Sequence, residues 1–230
     1  MLVGGAENIY CAAADNVLLR PARGMDAALT GIPDNSQTQA PKRRPLIVGI
    51  GGTIRPGSTS ERALVCSLRT AEAAGAETRL LGGEFLGRLP IFDPRPGEIT
   101  ATQRELADAV RDADGVIVAT PGYHGSLSGL IKNALDTLEI GRSGTAPYFQ
   151  GKPVGAIVTA DGWQAAGTTL MALRSIIHAL RGWPTPFGAA LNATTDLFDE
   201  AGDCREAKDA WQLATVAEQV MDFARMRAGS

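Results

Sequence analysis

The sequence predicts an α/β fold, in which an open parallel sheet of five strands has helices on both faces. Short, almost unbroken apolar runs alternate along the chain with longer segments whose apolar residues recur at helical spacing. Such runs are typical of strands that are buried on both faces of a parallel sheet. The chain has 230 residues, of which 44% are hydrophobic. This is enough for one such domain and a tail.

The net charge and the cysteine spacing argue against several classes of protein. A formal net charge of −3 gives no basic surface for nucleic acid or for an anionic membrane. No stretch approaches the roughly 20 apolar residues of a membrane span. The cysteines, Cys11, Cys66 and Cys204, are widely spaced and match no zinc or CxxC pattern. We therefore expect a cytoplasmic protein without a metal site, in which Cys66 packs within a helix.

Residues 1–44 differ in composition from the rest of the chain. They lack a long periodic apolar segment and lead into the polar, proline-flanked stretch DNSQTQAPKRRP at 34–45. No apolar run of signal-peptide length follows a basic start, and several acidic residues argue against a transit peptide. We expect residues 1–44 to form a flexible N-terminal extension and residues 45–230 to form the folded domain.

The first βα unit contains a candidate anion site. An apolar strand at 46–50 leads into a turn at 51–60 that is rich in glycine and hydroxyl groups, and an amphipathic helix follows. Gly75 stands where the C-terminal cap of that helix belongs. A glycine-rich turn between such a strand and such a helix directs backbone N–H groups and the positive end of the helix dipole to one point. We expect an anion to bind there.

Two nucleotide-binding motifs fail in this turn. The P-loop pattern needs a lysine where Ser58 stands, and the dinucleotide pattern needs a glycine where Ile54 stands. The turn instead offers short hydroxyl groups and one guanidinium, which suit a terminal monophosphate without a metal. The residues concerned are Thr53, Arg55, Ser58, Thr59 and Ser60. In the alternative interpretation, Ser58 and Glu61 form a capping box and Arg55 is a solvated loop residue.

The remaining units continue the alternation of strands and helices. Further strands are predicted at 77–81, 115–119, 153–159 and near 187–191. Further helices are predicted at 101–113, 131–138, 165–180 and 205–227. A long loop at 82–100 contains the apolar segment Leu89–Pro94. Exposed apolar groups in such a loop often contact another subunit or a ligand.

In open parallel sheets, ligands bind at the carboxyl ends of the strands. The loop after the third strand, TPGYHGSLSGL at 120–130, is rich in residues that expose the backbone. It can line a flat heteroaromatic ring while Tyr123 or His124 covers the edge of that ring. Alternatively, it is a plain turn in which His124 is solvated and Tyr123 packs. After the fourth strand, Asp161 and Gly162 either border the same ring or simply cap the next helix.

Two separated motifs, GGTIRPGSTS at 51–60 and TPGYHGSLSGLIKNALDTLE at 120–139, together resemble the NAD(P)H-dependent FMN reductase family of flavodoxin-like proteins. The resemblance covers residues 45–191 and implies a sheet with strand order 2-1-3-4-5. It implies that the FMN phosphate binds to Thr53, Arg55, Ser58 and Ser60. It also implies that the isoalloxazine ring binds to Pro121, Gly122, Tyr123, His124 and Gly125.

The sequence departs from the family pattern at two places. Ser60 stands where many relatives carry asparagine, and Asp161-Gly162-Trp163 stands where many have a Gly-Gly turn. The remaining motif residues are expected to begin a helix and to lock the loop by hydrogen bonding. They are Lys132, Asn133 and Asp136.

The resemblance implies hydride transfer from NADPH or NADH to FMN. The reduced flavin would pass to a partner monooxygenase or reduce quinone, azo or metal acceptors, and the protein would form a homodimer or homotetramer. Because the cofactor performs the difficult step, we expect no catalytic side chain, although Asp161, Glu139 and His124 are candidate acids or bases. The alternative is a flavodoxin-type electron carrier without nicotinamide activity, a class that is usually strongly acidic and lacks an arginine like Arg55. A receiver domain is excluded because no acidic pair follows the first strand.

Overall fold

A computed structural model describes residues 43–95 and 97–228. The predicted extension, residues 1–44, lies outside the described residues except for its last two. Arg43 donates to both carboxylate oxygens of Asp114, at 2.7 and 2.8 Å. Arg44 donates to the carbonyl of Ala76 at 2.7 Å. The first two described residues therefore bind to loops of the sheet and helix region.

The described residues form one seven-stranded sheet. Its strands are β1 (Leu46–Gly51), β2 (Glu77–Leu81), β3 (Gly115–Tyr123), β4 (Ser126–Leu127), β5 (Pro153–Ala160), β6 (Trp183–Pro184) and β7 (Ala189–Asn192). The order is β2-β1-β3-β5, and both β6 and β7 pair with β5 on its far side. All pairs are parallel except that of β3 with β4. The predicted α/β class with an open parallel sheet is confirmed.

The predicted order of five strands needs two corrections. The fifth position is split, because β6 pairs with the start of β5 and β7 pairs with its end. Pro184 and Pro186 lie at this break, and proline has no N–H group to donate to a neighbouring strand. In addition, β3 continues beyond the predicted end at Ala119 to Tyr123 and turns back into the antiparallel strand β4.

The helices lie where the apolar spacing predicts them, with ends shifted by one or two residues. They are α1 (Thr59–Ala73), α2 (Gly83–Leu86), α3 (Ala101–Asp112), α4 (Gly129–Thr137), α5 (Trp163–Ala179) and α6 (Ala207–Ala228), with a 3₁₀ helix η1 (Leu138–Gly141) after α4. The short helix α2 lies within the predicted long loop. It was not predicted, because four residues are too few to show a helical period. Gly75 follows the end of α1 with φ of 92°, as its predicted capping role requires.

Each face of the sheet has its own apolar core. On one face, α3, α4 and α5 contribute Leu106, Ile131 and Leu173, which are all fully buried. On the other face, α1 and α6 contribute buried residues that include Leu64 and Val216. This arrangement aligns the carboxyl ends of β1, β3 and β5 at one edge of the sheet. No described helix is long and apolar enough to cross a membrane.

Candidate active site

A cleft of about 630 Å³ opens at the carboxyl ends of β1, β3 and β5. Its volume lies within the range of cofactor sites. Ten of the twelve predicted site residues line it: Thr53, Arg55, Ser58, Thr59, Ser60, Pro121, Gly122, Tyr123, His124 and Asp161. The other two, Gly125 and Gly162, line an adjoining cleft that shares His124, Asp161 and Ala165 with the first. The structure thus brings together turns that are distant in sequence.

The turn after β1 folds back on itself. Gly52 and Gly57 have φ of 112° and 65°, a region that glycine adopts without strain. The N–H group of Thr53 donates to Ser58 Oγ at 3.2 Å. The N–H group of Arg55 donates to Thr53 Oγ1 at the same distance. Two of the predicted hydroxyl groups therefore also shape the turn.

Ser58 and Glu61 do not form a capping box. Ser58 is the N-cap residue of α1, but its side chain makes no capping hydrogen bond. Glu61 Oε2 instead accepts from the N–H group of Gly83 at 2.8 Å, which ties α1 to α2. The first intrahelical bond runs from the N–H group of Arg62 to the carbonyl of Ser58. The N–H groups of residues 59–61 consequently have no carbonyl partner within the helix and are suited to bind an anion.

Ser60 and Arg55 complete the donor set of this turn. Ser60 is 1% exposed, and its Oγ has no hydrogen-bond partner among the described residues. A buried hydroxyl without a partner is unfavourable, so a ligand at this position would stabilise it. No hydrogen bond or ion pair joins the exposed Arg55 guanidinium to another described residue. Hydroxyl groups, unpaired N–H groups and a guanidinium together fit a phosphate.

The predicted ring-lining loop is a β-hairpin. Tyr123 pairs with Ser126, and the two residues between them, His124 and Gly125, have φ of 52° and 80°. Positive φ at both positions is typical of a type I′ turn. Histidine is one of the residues other than glycine that adopt this region with some frequency. The alternative of a plain turn is correct in that His124 is exposed. It is wrong in that Tyr123, which is 53% exposed, does not pack away from solvent, and the turn lines the cleft.

Gly122 lines the cleft with its backbone. A Cβ atom at this position would lie 2.9 Å from both Ala160 Cβ and Thr169 Oγ1, and 3.4 Å from the carbonyl oxygen of Ala165. Glycine is therefore required because α5 and β5 pack closely behind the end of β3. Only the backbone of this residue is available to a ligand.

The turn after β5 is held by a residue that the sequence analysis missed. Asn192 Oδ1 accepts from the N–H groups of Gly162, at 3.1 Å, and Thr194, at 3.2 Å. Gly162 is the N-cap residue of α5 and has φ of 108°, so the predicted capping position is correct. Asn192 ends β7, and its position at the carboxyl end of a strand was the signal that could have identified it.

The three polar residues of the second motif stabilise the structure outside the cleft. Lys132 and Asp136 form an ion pair along α4 at 2.6 Å. Asn133 Nδ2 donates to the carbonyl of Pro90 at 3.0 Å, and its Oδ1 accepts from the N–H group of Phe92 at 2.8 Å. Asn133 therefore locks the apolar loop Leu89–Pro94 rather than the turn after β3.

Glu139, a candidate acid or base, does not line the cleft. Its carboxylate accepts from the Tyr148 hydroxyl at 2.6 Å and from Arg142 at 3.1 Å. These hydrogen bonds, chiefly the one from Tyr148, lower the pKa of Glu139. The remaining candidates, His124 and Asp161, both line the cleft.

Comparison with known proteins decides the family. The sequence model of the NADPH-dependent FMN reductase family matches residues 45–196. This chain belongs to that family. The match extends from the start of β1 to just beyond β7, and it confirms the resemblance that was based on the turn after β1 and the segment after β3.

Individual relatives agree with this assignment. An FMN-dependent NADPH-azoreductase of Staphylococcus aureus is 33% identical over 150 residues, which are 64% of this chain and 74% of that protein. The flavoenzyme FerB of Paracoccus denitrificans, an NAD(P)H:(acceptor) oxidoreductase, aligns with a TM-score of 0.68 and 22% identity over 79% of this chain and 98% of its own. An NADH:FMN oxidoreductase (EMOB) aligns with a TM-score of 0.57 and 24% identity over 79% of this chain and 89% of that chain. The two solved structures support the predicted flavodoxin-like fold.

Proposed function

We propose that this member of the FMN reductase family binds FMN in the 630 Å³ cleft and transfers hydride to it from NADPH or NADH. One observation supports this proposal: the turn after β1, which can bind an anion, and the hairpin between β3 and β4, which exposes its backbone, line the same cleft at one edge of the sheet. The turn offers donors for a terminal phosphate, and the hairpin offers a wall for a flat ring. Bound FMN would supply the two-electron chemistry, as flavins do.

The turn after β1 binds the phosphate in this proposal. The N–H groups of residues 59–61 and the Arg55 guanidinium provide positive charge, and hydroxyl groups provide further donors. The hydroxyl groups belong to Thr53, Ser58, Thr59 and Ser60. This set neutralises a phosphate without a metal ion.

The hairpin and the turn after β5 hold the ring. Residues 121–125 contribute exposed backbone and the aromatic side chains of Tyr123 and His124, while Asp161 and Gly162 border the opposite side. Backbone N–H groups at the cleft are suited to stabilise the negative charge that the ring gains on reduction. Orientation and exclusion of water are then the main contributions of the chain to the rate.

The test is to purify the protein, record its visible absorption, and measure NADPH and NADH oxidation with and without added FMN. The proposal predicts oxidation of at least one nicotinamide cofactor that depends on FMN. Bound FMN without nicotinamide oxidation would indicate the alternative, a flavodoxin-type electron carrier. A chain that neither binds FMN nor oxidises either cofactor would contradict both functions.

Replacing His124 by asparagine is expected to slow flavin reduction by less than about a hundredfold, the low end of what general acid–base catalysis supplies. Asparagine also tolerates positive φ, so the turn is retained. Stopped-flow reduction of bound FMN measures the effect. His178, the other histidine, is exposed on α5, and His178→Asn serves as the control. A thousandfold loss in His124→Asn with FMN still bound would mean that His124 transfers a proton.

A chain that starts at residue 43 is expected to have the same FMN affinity and the same turnover rate as the full chain. It keeps Arg43 and Arg44, which bind to Asp114 and Ala76, and it keeps the whole range that matches the family. FMN affinity, turnover and sedimentation of the two chains provide the comparison. Loss of folding or of assembly in the shorter chain would show that residues 1–42 form a structural arm.

We also propose that the protein is a cytoplasmic homodimer or homotetramer. The loop Leu89–Pro94 supports a contact between subunits, because Ile91 is 82% exposed although Asn133 holds the loop in place. The unbridged thiols of Cys66 and Cys204 suit a reducing compartment. The electrons would pass to small quinone, azo or metal acceptors, or to a flavin-dependent monooxygenase. If sedimentation shows assembly, Ile91→Asp should shift it toward the monomer, and an unchanged assembly would exclude this loop as the contact.

A further inference from the structure

Two cysteines that are far apart in sequence meet on the face of the sheet that α1 covers. Cys66 lies in the middle of α1, and Cys204 lies just before α6. Both side chains pack against the same apolar core, and each thiol is close enough to shift the pKa of the other. The Cys66 S–H group donates to the carbonyl oxygen of Gly202, two residues before Cys204, at 3.1 Å. The expectation that Cys66 merely packs within its helix therefore omits its partner.

The segment that carries Cys204, residues 196–204, is fastened along one face of α1. Arg62, Cys66 and Arg69 are spaced so that they share this face. The Arg62 guanidinium donates to the carbonyl of Asp199 and lies over the Phe198 ring, 4.9 Å from its centroid. Arg69 pairs with Asp203 at 3.5 Å.

Backbone contacts fix the position of Cys204. It forms an isolated antiparallel bridge with Phe198, which closes the segment into a turn. Phe198 is 1% exposed and anchors that turn in the core. Both cysteines are thus held in place by packing, and the hydrogen bond from Cys66 to Gly202 keeps the chain next to Cys204 against α1.

We propose that Cys66 and Cys204 are a reversible redox pair, which a peroxide converts to an intramolecular disulfide between α1 and the 196–204 segment. In the first step, the Cys66 thiolate attacks one peroxide oxygen, the O–O bond breaks, and Cys66 sulfenic acid and water form. In the second step, the Cys204 sulfur attacks Cys66 and displaces the hydroxyl group as water. Two thiols lose two electrons and two protons, and one peroxide becomes two waters.

The charges around the pair assign the roles. Cys66 faces Arg62, Arg69 and Asp203, whereas Cys204 faces the acidic groups of Asp203 and Asp209. Burial raises the pKa of Cys66, although the neighbouring Cys204 thiol and the two arginines oppose this effect. Burial and the neighbouring Cys66 raise the pKa of Cys204 to about 12. Cys66 is therefore the thiol that ionises first and attacks, and Cys204 resolves the intermediate.

The test is to treat the reduced full-length protein with hydrogen peroxide, alkylate the remaining thiols in denaturant, and map the tryptic peptides. The expected product is a peptide pair, 63–69 linked to 182–205, that disappears on reduction with dithiothreitol. Cys11 should remain alkylated, and Cys11→Ser should form the same pair. Cys66→Ser and Cys204→Ser should not form it. The oxidised wild type should melt about 5 °C or more above the reduced protein, because the bridge closes a long loop.

The oxidation rate provides a second readout. Below the pKa of Cys66 the thiolate fraction rises with pH, so the rate should increase about tenfold from pH 7 to pH 8. Several results would overturn the proposal: both thiols still open to alkylation, irreversible oxidation of Cys66 without a bridge, a link that includes Cys11, or an unchanged melting temperature. A rate that does not depend on pH would overturn the role of Cys66 as the attacking thiolate.

Discussion

Replacing Gly122 by valine is expected to lower FMN-dependent turnover by about a hundredfold or more, the effect of displacing a site by roughly 1 Å. A Cβ atom there would lie 2.9 Å from Ala160 Cβ and from Thr169 Oγ1. Ala160 belongs to a central strand and Thr169 is fully buried on α5, so neither can move away easily. Overpacking of this kind usually costs about 1–3 kcal/mol, and the end of β3 must shift toward the cleft.

Turnover and melting temperature of Gly122→Val should therefore fall together. Gly167→Val is the matched control, because Gly167 is exposed on α5, the helix that carries Thr169, and a Cβ atom there meets nothing within 4 Å. In the double variant Gly122→Ala, Thr169→Ala, the added Cβ atom no longer meets Thr169 Oγ1. The double variant should therefore lose less stability than the two single variants lose together. A Gly122→Val protein with normal turnover and melting temperature would contradict the close packing of α5 against β3.

Replacing Arg55 by alanine is expected to weaken FMN binding by about 1.5–3 kcal/mol, the range for a hydrogen bond to a charged group. The fold should be unaffected, because the guanidinium is exposed and bonded to no other described residue. Quenching of FMN fluorescence on titration with protein gives the affinity. Arg55→Lys should lie between alanine and the wild type, since lysine retains the charge but not the paired donors.

Arg79→Ala is the control for this experiment. Arg79 lies on the edge strand β2, pairs with Glu105 at 2.6 Å, and does not line the cleft. Removing a surface ion pair of this kind changes little. If Arg55→Ala and Arg79→Ala bind FMN equally well, the assignment of Arg55 to the phosphate fails.

The sequence is sufficient to predict the main strands and the place of the cleft. The apolar runs that became β1, β3 and β5 are buried on both faces, and this environment leaves a recognisable pattern. The ends of parallel strands meet at one edge, so the turns after them were predicted to form one site. The family pattern then selected individual residues within those turns.

Contacts between distant segments could not be predicted in the same way. Ser58 and Glu61 match a capping box, but the Glu61 carboxylate instead accepts from the N–H group of Gly83, 22 residues further along the chain. The thiol of Cys66 and the amide of Asn192 likewise form their hydrogen bonds with residues that only the fold brings near them. A local pattern states which hydrogen bonds are available to a side chain, and tertiary packing decides which of them forms.

The hairpin between β3 and β4 separates the backbone that shapes the turn from a side chain that can vary during evolution. The shape of its turn depends on the backbone conformation of His124 and Gly125, while the Tyr123 side chain is 53% exposed at the mouth of the cleft. A mutation at Tyr123 therefore alters the entrance without disturbing the turn. Selection for a new electron acceptor can act on this side chain while the backbone of the hairpin is inherited unchanged, which makes acceptor preference an evolvable property.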